Sequence, residues 1–151
     1  MGETSASRDG PYLQAAVVCD KILEEKDGTK SAIRIVNRVT RAVLAPEPPQ
    51  EMQPFDYHGF MLVSFKAGFA KGVSQLRIEL SKPNGETAPP IRASLVFEGE
   101  EDRGIDVVLD LNLKFEMAGI YWFSVYLDDK FTTRVPLRVV YLPQYAMKAR
   151  S

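Results

Sequence analysis

Over residues 105–115 apolar and polar side chains alternate with a single exception, Val108. Ile105, Val107, Leu109, Leu111, Leu113 and Phe115 fall on one side; Asp106, Asp110, Asn112 and Lys114 fall on the other. Successive side chains of a strand point to opposite faces, so this period of two predicts an antiparallel strand with one face in a core and one in water. Leu76, Ile78 and Leu80 against Gln75, Arg77 and Glu79 repeat the pattern over residues 74–81. Residues 60–65 are apolar enough for a strand buried on both faces. Pro83-Asn84-Gly85 is a strong turn signal, and Asp128-Asp129-Lys130 separates two further strands as a hairpin.

The remaining segments fit the same scheme. Residues 13–19 form a short apolar run, bounded by Pro11 before it and by the charged turn Glu24-Glu25-Lys26-Asp27-Gly28 after it. Residues 30–44 are ambiguous: Ile33, Ile35 and Val39 alternate as in a strand, whereas Val36, Val39 and Val43 would line a helix face. Their Val and Ile content favours the strand. Four prolines between residues 45 and 54 rule out helix interior or central strand there and predict a long crossover loop. Pro143 is expected to end the last strand. Residues 1–10 and 144–151 read as tails around a single domain of residues 11–143. About eight strands, with a turn roughly every 8–12 residues, mark a sandwich or barrel rather than β-α-β units.

Gly119-Ile120-Tyr121-Trp122-Phe123-Ser124-Val125 sharpens this to an immunoglobulin-like antiparallel β-sandwich. In such sandwiches a tyrosine near the start of the penultimate strand packs inward, and its hydroxyl reaches backbone a few residues upstream. Phe123 stands two residues later, where antibody domains carry a disulfide cysteine. These residues, with Ala16-Val17-Val18-Cys19-Asp20, the Pro-rich segment near residue 50 and Lys82-Pro83-Asn84-Gly85, resemble a family of small bacterial proteins of unknown function. The resemblance covers most of residues 12–142. It implies a bacterial, cytosolic β-sandwich and supplies no activity and no site residues.

Length and composition agree with a domain that stands alone. A chain of 151 residues buries enough surface to fold without a crosslink. The single cysteine, Cys19, excludes an internal disulfide. No run reaches the ~18 apolar residues of a membrane span, and the polar first ten residues do not read as a signal peptide. The cytoplasm is the expected compartment. The balance of 19 basic against 20 acidic side chains argues against a nucleic-acid partner.

No pattern of residues points to catalysis or to a cofactor. His58 is the sole histidine, and no spacing links it to Ser64, Ser74 or Cys19 as a triad. One cysteine and one histidine do not make a soft-metal site. The acidic stretches Glu98-Gly99-Glu100-Glu101-Asp102 and Asp128-Asp129 lack the spacing of a calcium loop and read as solvated turns. The expected protein is not an enzyme and holds no metal.

The suggestive residues are on the penultimate strand. If Tyr121, Phe123, Val125 and Leu127 face the core, then Ile120, Trp122 and Tyr126 face outward. An outward aromatic row marks an interface or a sugar platform, unless the N-terminal segment or the Pro-rich loop covers it. Arg134 and Arg138 share a face of the last strand and, with Arg34, Arg38 and Arg41, are candidates for a basic patch or, as the favoured reading, for cross-strand ion pairs on a solvated sheet face. Ile120, Trp122, Tyr126, Arg134 and Arg138 are therefore the candidate interaction surface. The expected partner is another protein or a second copy; a small-ligand or carbohydrate-binding domain is the alternative reading.

Overall fold

The computed structural model describes residues 9–147; residues 1–8 and 148–151 lie outside it, and with them most of the predicted N-terminal tail and half of the C-terminal one. Nine strands run in chain order: β1 (Tyr12–Glu24), β2 (Lys30–Ile35), β3 (Arg38–Ala45), β4 (Phe55–Lys66), β5 (Lys71–Ser81), β6 (Ile91–Glu98), β7 (Gly104–Phe115), β8 (Gly119–Leu127) and β9 (Lys130–Tyr145). They form a four-stranded sheet, β2-β1-β4-β7, and a five-stranded sheet, β3-β9-β8-β5-β6. The core lies between the sheets. Met61, Val63, Phe65, Leu111 and Phe115 enter it from the first, and Leu76, Ile78, Tyr121, Phe123, Val125, Leu137 and Val139 from the second.

β7 has the alternation its sequence predicts, and β4, at the centre of its sheet, is buried on both faces over residues 61–65. The ambiguous stretch is strand and not helix, but it is two strands, interrupted at Val36-Asn37, rather than one. β2 pairs with β1 in one sheet and β3 with β9 in the other, so the chain changes sheets at Val36-Asn37. This raises the count from eight to nine.

Two further expectations are corrected. The sandwich is not antiparallel throughout, because β3 runs parallel to β9 from Arg38↔Arg138 to Ala45↔Tyr145. The last strand does not end at Pro143 but continues to Tyr145. Proline lacks an N–H and is tolerated only where no neighbour needs that donor. β9 supplies such places by changing neighbours along its length. Its pairing with β8 reaches only Val139, so Pro143 lies where β9 has β3 alone beside it. Pro136 precedes the first β3 pair and has β8 alone beside it.

Candidate outer-face interaction surface

The strand that carries the aromatic row is held in place by three local devices. Gly119 opens β8 with φ +131°, and a Cβ there would lie 2.8 Å from the Pro83 side chain. The Tyr121 hydroxyl donates to the Met117 carbonyl at 2.8 Å, forming the corner its sequence position predicts. At the far end, Asp128 and Asp129 have φ +50° and +65°. Positive φ at both central residues defines the tight two-residue hairpin turn whose twist matches its strands. Asp128 also accepts the Gln75 N–H at 2.8 Å, and Asp129 pairs with Arg77 at 2.9 Å. Both acidic residues of the turn thus have structural partners.

With Tyr121, Phe123, Val125 and Leu127 buried, Ile120, Trp122, Ser124 and Tyr126 occupy the outer face of the five-stranded sheet. They are half-buried rather than open. Register brings Pro136 opposite Trp122 and Arg134 opposite Ser124 on β9, and Arg77 opposite Tyr126 on β5. The Arg134 guanidinium stands 4.1 Å over the Trp122 ring, and that of Arg77 4.2 Å over Tyr126. Phe131 packs against the edge of Tyr126 at 5.9 Å between centroids and is itself 57% exposed. Such cation–π contacts are worth about 0.5–1 kcal/mol at exposed sites. They are invisible in the linear sequence because each needs the register of a neighbouring strand.

The Pro-rich loop does not cover this face. It lies against the inner side of β9, where Tyr141 donates to the Pro49 carbonyl at 2.6 Å and Met52 enters the core. The basic patch is smaller than the sequence suggests. Arg34 belongs to the other sheet and pairs with Asp20. Arg41 turns inward and sits 5.2 Å over the Phe55 ring. Arg38 alone joins Arg134 and Arg138, directly opposite the latter. These two flank a shallow depression of about 240 Å³ with Asn37, Ile120 and Pro136.

The other chemistry-bearing residues are dispersed. His58 pairs with Asp110 at 2.6 Å on the outer face of the four-stranded sheet and stacks near Phe60. Ser64 donates to Asp106 at 2.5 Å, with Gln14 at 3.2 Å. Cys19 is fully buried, and burial, followed by the neighbouring Asp20 charge, raises its thiol above the ordinary value, the reverse of an activated nucleophile. In the acidic turn, Arg103 pairs with Glu98 and with Glu100. Among the described residues no group of three or more His, Cys, Asp or Glu side chains is arranged to hold a metal ion. No helix among them is long and apolar enough to cross a membrane.

The family of unknown function DUF6941 matches residues 14–140. The chain belongs to this family. The match spans all of the strands that build the outer face except the last residues of β9. No curated protein matches the sequence. Among solved structures, the CARDB domain of a Pyrococcus furiosus protein, crystallised in complex with di-metal ions, is similar with a TM-score of 0.41 and 13% identity. The alignment covers 87% of this chain and 97% of that one. An immunoglobulin-like protein from Pseudomonas aeruginosa is similar with a TM-score of 0.38 and 8% identity, over 88% of this chain and 98% of that one.

Proposed function

We propose that this DUF6941 protein is a non-enzymatic interaction module of the bacterial cytoplasm that docks a partner protein on the outer face of its five-stranded sheet. The observation behind this reading is the composition of that face. Trp122, Tyr126 and Phe131 stand there among Arg77, Arg134 and Arg138, and no described segment lies over them. Trp, Tyr and Arg are the residues that dominate binding energy at protein interfaces. A sugar or small-ligand reading of the same rings has less support. A guanidinium already covers one face of Trp122 and one face of Tyr126, and a flat ligand would have to displace it.

The test is a crosslinked pull-down of the tagged protein from its native cytosol, repeated with Trp122→Ala, Tyr126→Ala and Arg134→Ala. The expected result is a stoichiometric protein partner with the unchanged chain that falls at least several-fold in the variants. Arg134 is exposed, so its variant separates lost docking from lost folding. Recovery of the bait alone, or equal capture by all variants, would contradict the proposal. A second copy as the captured species would make the module self-associating.

A further inference from the structure

Arg38 and Arg138 face each other directly in the parallel register of β3 and β9, on the outer side. Like charges placed directly opposite each other destabilise a sheet. Among the described residues neither has a carboxylate within ion-pair distance, whereas Arg34, Arg77 and Arg103 each have one. Arg92 on β6 and Arg134 on β9 also lack a carboxylate partner there. The whole chain carries a net charge of −1, so this local surplus of cations belongs to the face and not to the composition. The paired guanidinia border an apolar floor of Ile120 and Pro136. A guanidinium offers a planar fork of donors that matches a carboxylate bidentately.

From these observations we infer that the Arg38–Arg138 pair is a carboxylate-binding site and that the docked partner is an acidic, extended protein segment. The inference rests on the docking reading above and adds the partner's chemistry to it. Arg134 lies four residues from Arg138 on the same side of β9, roughly 13 Å at about 3.3 Å per residue. An extended segment laid along β9 repeats its same-face side chains every second residue. Acidic residues four apart on it therefore reach Arg138 and Arg134 together. Single-stranded nucleic acid is the disfavoured occupant, because its bases need open aromatic faces to stack on and arginines cover these rings.

Trp122, the sole tryptophan, reports on this face. The experiment titrates the full chain with a fluorescein-labelled glutamate-rich peptide, reading anisotropy and Trp122 emission. Parallel titrations use a lysine-rich peptide, oligothymidylate and inorganic phosphate. The expected result is saturable binding of the glutamate-rich peptide that weakens with salt. It should fall at least about tenfold in Arg38→Ala/Arg138→Ala and stay unchanged in Lys21→Ala, a residue of the other sheet. Absence of binding, or equal binding by the double variant, would overturn the inference. Tighter binding of oligothymidylate would reassign the face to nucleic acid, and displacement by phosphate alone would reassign the pair to a free oxyanion. If the Trp122 variant loses its captured protein while Arg38→Ala/Arg138→Ala retains it, docking on this face stands and the acidic partner is refuted.

Discussion

Two tyrosines pack against the same ring, that of Phe115, from opposite sheets: Tyr57 at 5.4 Å and Tyr121 at 4.7 Å between centroids. Their hydroxyls are in opposite situations. Tyr121 donates to the Met117 carbonyl. The buried Tyr57 oxygen finds no partner among the described residues. Its ring lies over Gly59, where a Cβ would come within 2.6 Å of that oxygen. Removing a satisfied hydroxyl loses a hydrogen bond, and removing an unsatisfied one relieves a desolvation cost. Tyr121→Phe should therefore lower stability by about 1 kcal/mol, while Tyr57→Phe is neutral or stabilising; urea midpoints at neutral pH check both. Burial, then the Asp20 and Cys19 charges, raise the Tyr57 phenol above its ordinary value of 10.0. The folded state thus holds this proton more tightly than the unfolded state. The contribution is fully present below pH 10 and is lost as pH rises through the folded value. Alkaline unfolding curves should show a smaller loss in Tyr57→Phe than in the unchanged protein. An equal loss would mean that the phenol is solvated.

β8 depends on Gly119 to begin where it does. Alanine there would have to adopt φ +131° and meet Pro83 at 2.8 Å. Gly119→Ala should cost more than about 1 kcal/mol, read as a lowered urea midpoint; an unchanged midpoint would show that the turn before β8 yields freely. The strand elements differ in how far their sequences reveal them. β7 is legible because one face is core and the other water, so burial prints itself on alternate residues. Tyr121 is legible because its hydroxyl bonds only four residues away. β2 and β3 are edge strands of different sheets with little one-sided burial, so their residues carry no clean period. The parallel β3–β9 pair joins positions about a hundred residues apart, and no local pattern encodes it. The outward row on β8 follows from alternation, but the arginines that cap it belong to β5 and β9, and only register brings them together.

At the scale of the whole molecule the two outer faces are unequal. On the four-stranded sheet, the turn residues Asp27, Gly28 and Thr29 share a cavity of about 440 Å³ with Gln14, Leu62, Ser64 and Asp106. The β1–β2 hairpin therefore leans over its own sheet, and Cys19, Leu62 and Ser64 are buried on a side that would otherwise meet water. Cys19 should accordingly resist thiol reagents in the folded protein and react on global unfolding. Rapid labelling under native conditions would show that the hairpin opens locally. The outer face of the five-stranded sheet has no such cover among the described residues, and it is there that the aromatic and arginine side chains gather. The deciding measurement is site-specific photocrosslinking in the native cell, with a photoreactive residue at Pro136 on one face or at Val108 on the other. Both positions are exposed. Crosslinks to a partner from position 136 and none from 108 are the predicted result; crosslinks from 108 with none from 136 would place docking on the wrong face and contradict it.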